Sequence, residues 1–308
     1  AQAKGHLMHI LDHGIGTAAL PGKAQVIGGG CGIAAESIDG VVVRVRDYGD
    51  HDRYLSVLTA EAGRITMLSK GGHSLKGPQT AISQLYTYAN FEYYRKGEFN
   101  ILKGGSAYQH FYALSMDIDR LNLAAYLCDL ACELTDEGEP APEMLRLLLN
   151  SLYAISKELY PQEIIKGAFE LRAMAMSGYA PDLGTCSACG RDQDEHFYLH
   201  IMNGSLFCSE CFSAKGKEVK KFTDASYDDI RESETVAGLS PAVCAAMRYC
   251  LSAPLERLFA FGLEEVDDMN DFARAAQTYT LSHLERGFDS LNFYHTMRAP
   301  LPHKETKV

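Results

Sequence analysis

The sequence predicts an α+β, multi-domain protein: a small β-barrel or sandwich, then an all-α domain with an inserted four-cysteine zinc module. Three observations carry this. Residues 41–115 form short runs rich in β-branched and aromatic side chains, each closed by a tight turn. After Asp117 the apolar residues recur at helical spacing. Within the helical stretch stand two Cys-x-x-Cys pairs, Cys186 with Cys189 and Cys208 with Cys211, eighteen residues apart. The 308 residues leave room for two or three domains.

Residues 1–38 carry Gly28, Gly29 and Gly30, three scattered histidines (His6, His9, His13), Cys31 and no sustained period. They read as a disordered or non-native extension. The first folded domain is assigned to residues 39–115. Val41-Val42-Val43-Arg44-Val45-Arg46 reads as a strand, and Asp47-Tyr48-Gly49-Asp50 is turn chemistry. Residues 53–59 and 64–69 are a second and third strand joined at Glu61-Ala62-Gly63, and residues 70–78 form a flexible loop. Residues 85–95, dense in Tyr and Phe, make a long strand. Lys96-Gly97-Glu98 turns into residues 99–102, and residues 107–114 add a last strand or short helix. Five or so strands within ~75 residues suggest a small barrel or sandwich.

The helical domain begins at residue 116, its first part running to 184. Leu121, Ala124, Ala125, Leu127, Cys128 and Ala131 share one helical face. After a break at residues 137–142, a helix over 143–159 follows Pro142, and a third covers 161–177 with Gly178 as its stop. The cysteine module spans 185–213. Between its pairs, residues 196–200 and 205–207 read as a hairpin turning at Asn203-Gly204. The second part of the helical domain, 214–295, holds a helix over 242–251 with Ser240 and Pro241 as N-cap and first residue. A long helix over 271–288 follows, and residues 296–308 read as a flexible tail.

Each Cys-x-x-Cys offers two thiolates from one turn, and two such turns complete a tetrahedron around one Zn²⁺. With cysteine at all four positions no place is left for a water, so one structural zinc per chain is expected. Two disulfides or two redox pairs are the alternatives; the doubled spacing favours zinc. Cys128, Cys132, Cys244 and Cys250 sit in apolar helical patterns and read as small core residues.

The net charge of −11 argues against a surface coated in nucleic acid, but it is uneven. Residues 41–115 hold nine Lys/Arg against six Asp/Glu, whereas residues 116–308 hold eighteen against thirty-one. Any phosphate-binding role therefore falls to the first domain. That domain mixes Arg44, Arg46, Arg53, Arg64, Lys70, Lys76, Arg95, Lys96 and Lys103 with Tyr48, Tyr54, Tyr86, Tyr88, Tyr93, Tyr94 and Phe99. Cations suit phosphates, and flat rings suit unpaired bases. Strand aromatics are also core residues, so two or three free rings at most are expected. Lys215, Lys217, Lys220 and Lys221 form a basic run that reads as a solvated loop or a phosphate contact.

No phosphate-binding glycine loop, His-Glu-x-x-His or Gly-x-Ser-x-Gly motif is present. The acidic pairs Glu264-Glu265 and Asp267-Asp268 read as solvated surface rather than a two-metal nuclease site. No enzymatic activity is expected. No apolar run approaches the ~20 residues that span a bilayer, and no signal-peptide pattern opens the chain. A cytoplasmic protein with reduced cysteines is expected.

The stretch from Val43 through Asp47-Tyr48-Gly49-Asp50, Arg53 and Thr59-Ala60-Glu61-Ala62-Gly63 to Ile65 resembles the opening of the RecO family of bacterial recombination mediators. Ser69-Lys70-Gly71-Gly72 resembles the family's next strand end, the four cysteines its zinc module, and residues 279–291 its C-terminal helix. The resemblance runs in order over residues 41–293. It implies an N-terminal OB-fold over 39–115 and a helical domain bearing the zinc module. It implies binding of single- and double-stranded DNA, annealing of complementary strands, and no nucleotide hydrolysis. With RecR as partner, such proteins help load RecA onto DNA coated by single-strand-binding protein, and some take that protein's acidic C-terminal tail on the helical domain. A nucleoid-associated location follows. The family's DNA-binding positions match Arg44, Arg53, Arg64, Lys70 and Lys76 here; Arg95 and Lys96 join them as candidates. Residues 1–38 have no counterpart, and loop 70–76 has two lysines where many members carry more charge, which implies weak, salt-sensitive binding. The alternative is a zinc-stabilised OB-fold scaffold that binds protein and not DNA.

Overall fold

The computed structural model describes residues 35–72, 79–214 and 236–298. Lys76, the run Lys215 to Lys221, residues 1–34 with Cys31 and the three early histidines, and the tail from 299 lie outside the described residues.

Five strands build the first domain: β1 Glu36–Tyr48, β2 Asp52–Thr59, β3 Arg64–Ser69, β4 Thr87–Lys96 and β5 Phe99–His110. They close into a barrel in the order β1-β2-β3-β5-β4. All pairs are antiparallel except β3 with β5, where Met67 faces Asn100 and Leu68 faces Ile101. This closed five-stranded order is the OB-fold arrangement. The first half of β1 pairs with β4 and the second half with β2, so one long strand closes two seams.

A register shift between Val42 and Arg44 explains the valine run. Val42 points into the barrel with Leu55, Val57, Met67, Phe91 and Leu102. Val41 and Val43 point outward, and with Leu58, Tyr86 and Tyr88 they join the helical core. One flank of the barrel is thus apolar because helices cover it.

The domain starts at Glu36, earlier than residue 39: Glu36 pairs with Tyr93 and Ile38 lies in the barrel interior. Residues 99–102 and 107–114 are not two pieces. One strand runs through Gly104-Gly105, past a bulge between Leu102 and Gly104. A Cβ on Gly105 would fall 2.1 Å from the Asn90 carbonyl oxygen, so only glycine lets the strands approach. Strand β5 ends at His110, and a 3₁₀ turn, Tyr112–Met116, leads to the helices.

Helix α1 spans Ile118–Glu133, with the Asp117 side chain accepting from the Arg120 amide as its N-cap. Helix α2, Pro142–Ser156, opens with proline in its first turn, and α3 is Gln162–Met176. The connector from α1 to α2 clamps the β2–β3 turn: Gly138 donates to Ala62 O at 3.0 Å and Ala141 to Ala60 O at 2.9 Å. Gly63 sits in that clamp at φ 58°.

The module contributes β6 Phe197–His200, β7 Ser205–Cys208 and the short helix α4 Ser209–Ala214. A third strand, β8 Val236–Leu239, pairs with β6 and completes a sheet in the order β7-β6-β8. That strand is missed by sequence patterning, because four residues with a central glycine leave no period to detect. Helix α5, Pro241–Ser252, begins at Ser240, whose hydroxyl accepts from the Val243 amide at 3.2 Å.

The long helix expected over 271–288 starts five residues earlier and ends four residues earlier, and a further helix follows it. Helix α6 runs Val266–Leu284 and ends at Glu285 in a left-handed conformation, and α7 runs Asp289–Arg298. The expected tail at 296 therefore starts inside α7. Cys186, Phe197, Leu199, Leu206, Cys208 and Leu239 belong to the same buried core as α1, α2, α3, α5 and α6. The module is an insertion in the chain but not a separate body. Among the described residues, no helix is long and apolar enough to cross a membrane.

Candidate nucleic-acid interface and candidate metal centre

Side chains alternate along a strand, so Arg44 and Arg46 share the outer face of β1. Their partners across the ladder are Ser56 and Tyr54 on β2, which in turn face Thr66 and Leu68 on β3. Arg64 stands on the same outer row, opposite Leu58. A cavity of about 230 Å³ lies there, lined by Arg44, Arg46, Tyr54, Ser56, Arg64 and Thr66 and floored by Cys132 and Glu137. The helical domain forms its far wall.

The three arginines differ in their partners. Arg44 Nη2 donates to Asp129 Oδ1 of α1 at 2.6 Å, and this contact raises the guanidinium pKa. Arg64 Nη1 donates to the Cys132 carbonyl at 3.2 Å. Arg46 is exposed and has no hydrogen-bond or ion-pair partner among the described residues. The period-2 spacing of Arg44 and Arg46 could have singled Arg46 out, but the family match did not include it.

The other expected cations do not join this face. Arg53 has the inward parity of Leu55 and Val57 and lies at the barrel mouth, where its Nε donates to Asp47 Oδ1 at 2.8 Å. Lys70 is exposed just beyond β3. Arg95 pairs with Glu36 at 3.3 Å on the β1–β4 seam, and Lys96 is exposed at the β4–β5 turn. Of the seven expected aromatics, Tyr86, Tyr88 and Tyr93 are buried. Tyr48 and Phe99 are largely exposed, at 54% and 56%, which matches the two or three expected. Tyr48 packs edge-on against Tyr54, ring centroids 5.0 Å apart, beside Arg46. Cations and a ring with an open face thus meet on one surface.

The second site is the cysteine cluster. Cys186, Cys189, Cys208 and Cys211 place their sulfurs within 4.8 Å of one another, and Cys189 and Cys208 are 3.7 Å apart. Four sulfurs about 2.3 Å from a central zinc stand about 3.8 Å apart. None of the four is in a disulfide. The first knuckle is closed by Gly190, at φ 76°, whose amide donates to Cys186 O at 2.8 Å, and by Cys186 donating to Arg191 O at 2.7 Å. The second knuckle is the step from β7 into α4. Asp194 accepts from the Ser209 amide at 2.9 Å and ties the two together. Without a cation the crowded thiols cannot all ionise. Burial opposes the Cys186 thiolate, but amide hydrogen bonds bring it down to about 6, while the neighbouring Cys189 and Cys208 thiols push Cys211 up to about 12. Four soft donors with no competing oxygen can hold one tetrahedral metal ion.

The chain is thus a five-stranded OB-type barrel fused to a helical domain, with a cationic outer face on the barrel and a four-cysteine cluster in the helical part. Residues 35–111 match the family model for the N-terminal part of recombination protein O, and residues 115–228 that for its C-terminal part. The DNA repair protein RecO of Alkaliphilus metalliredigens is 31% identical over 182 residues, covering 59% of this chain and 74% of that protein. Those of Acetivibrio thermocellus and Symbiobacterium thermophilum are each 26% identical, covering 84% and 87% of this chain and 95% and 99% of the relative. The chain belongs to the RecO family of DNA repair and recombination proteins.

Proposed function

We propose that this protein binds single- and double-stranded DNA on the outer face of β1, β2 and β3, anneals complementary strands without hydrolysing nucleotide, and performs no catalysis of its own. With RecR it helps load RecA onto single strands coated by single-strand-binding protein, whose acidic tail docks on the helical domain. The observation that carries the reading is the meeting of Arg44, Arg46 and Arg64 with Tyr54 and Tyr48 on one outer face of an OB-barrel. Phosphates want the cations, and unpaired bases of any sequence want the rings. The cysteine cluster holds one structural Zn²⁺ that locks the module to the helical core. A DNA-handling role belongs in the cytoplasm, on the nucleoid.

Purified protein at low salt, without ATP, should bind a labelled single strand and speed annealing of complementary oligonucleotides, bare or coated with single-strand-binding protein. Neither binding nor faster annealing would sink the reading. One observation favours the scaffold alternative: Arg44, Arg53 and Arg95 each already face a carboxylate. That alternative requires Arg46→Ala with Lys70→Ala to leave repair activity intact.

A further inference from the structure

Asp129 stands alone among the acidic residues of α1 in reaching across to the barrel's outer face. Its Oδ1 takes the Arg44 guanidinium at 2.6 Å. Its Oδ2 accepts from the Ser290 hydroxyl of α7 at 2.8 Å, so the carboxylate is held in place from behind. Arg44 and Asp129 keep 47% and 30% of their side-chain surface exposed, so the pair can open without unpacking the core. Arg44, Arg46 and Arg64 line a cavity of about 230 Å³, three cations against the one carboxylate of Glu137, with room for a phosphate and several waters at about 30 Å³ each.

We infer that this cleft is a subsite for one phosphodiester of a single strand, and that Asp129, which stands outside its lining, competes with that phosphate for Arg44. A carboxylate and a phosphate present a guanidinium with the same two-oxygen edge. When a strand arrives, Arg44 exchanges Asp129 for the phosphate, Arg46 supplies the second cation, and Asp129 keeps its Ser290 bond. The barrel is thereby held at lower affinity than its arginines would give. A mediator that must let go of DNA after annealing has use for such a competitor. The inference rests on the DNA-binding reading above.

The test is single-strand affinity as a function of salt for the full chain, with Asp129→Asn as the main variant. Asparagine keeps the Ser290 contact and the volume but releases Arg44. Binding should tighten about two- to fivefold, the range over which an exposed ion pair holds its partner. The slope of log K against log salt should not steepen, because Arg44 meets the same phosphate in both complexes. In an Arg44→Ala background the same substitution should bring little gain. Arg46→Ala should weaken binding and flatten the slope by about 0.7. A wild-type protein that binds while Asp129→Asn leaves affinity unchanged overturns the inference and leaves DNA binding standing. A gain that survives in full with Arg44→Ala overturns it too, since it would then be a general charge effect. If Asp129→Asn fails to fold, an Arg46→Ala variant with an unchanged slope is the overturning result. A wild-type protein that binds no DNA removes both readings together.

Discussion

Glu170→Gln should destabilise the helical domain by about 3–5 kcal/mol, the usual cost of orphaning one partner of a buried ion pair. Lys166 and Glu170 lie one turn apart on α3, with side chains 3% and 0% exposed and Nζ 2.9 Å from Oε1. Tyr126 of α1 donates to the same Oε1 at 2.7 Å, and Lys166 also reaches Ala273 O of α6 at 3.5 Å. Burial pushes the Lys166 pKa down and the Glu170 pKa up, so dehydration works against both charges; their mutual attraction, the Tyr126 hydrogen bond to Glu170 and the Glu163 charge near Lys166 oppose it. Glutamine keeps the volume and an acceptor for Tyr126, but leaves an ammonium in a dry core. Against a total stability of about 5–15 kcal/mol this is a large fraction. The assay is urea unfolding followed by circular dichroism; the midpoint should fall with little change in slope. The double variant Lys166→Met with Glu170→Gln should recover most of the loss, because an apolar replacement removes the orphan. A single variant that loses less than about 1 kcal/mol, or a double variant as unstable as the single, would refute the reasoning.

Reduced protein should carry about one Zn²⁺ per chain by elemental analysis, and Cys208→Ser should release it and lower the thermal midpoint, since metal binding and folding are coupled; metal-free wild type would sink the zinc proposal. Tyr48→Ala should weaken single-strand binding by about 1–3 kcal/mol without changing its salt slope, because a stacking face is lost and no charge. An altered slope with unaltered affinity would contradict this. Gly63→Ala should destabilise by more than the ~1–2 kcal/mol of a left-handed residue alone, because its Cβ would sit 2.1 Å from Asp136 O, whereas Gly97→Ala, at φ 62° with open space around it, should cost only that strain. Equal thermal midpoints for the two variants would refute the clamp.

Much of the architecture was legible because its signals are local. The turn residues, the alternation over 53–59 and 64–69, Ser240-Pro241 and the doubled Cys-x-x-Cys each act within a few residues, and the structure follows them. Strand β8, the end of α6 and the separate helix α7 were not legible. Strand β8 has four residues and exists as a strand because β6 offers it an edge. The break after Leu284 is set by Glu285 turning left-handed where α7 folds back on α1.

The proposed binding face divides in the same way. That arginines and aromatic rings crowd the barrel, and that four cysteines gather around one metal position, follows from residue types and spacing. Which arginines remain available does not. Arg44 meets Asp129 across 85 residues of chain, Arg53 and Arg95 are held by Asp47 and Glu36, and Arg46 is left open. Lys166 and Glu170, charged residues at i, i+4, are buried where α1, α3 and α6 meet. Charge and periodicity are properties of the chain. Whether a charge faces water, a carboxylate or a cleft depends on what the fold brings opposite it, and that is decided only when distant segments pack.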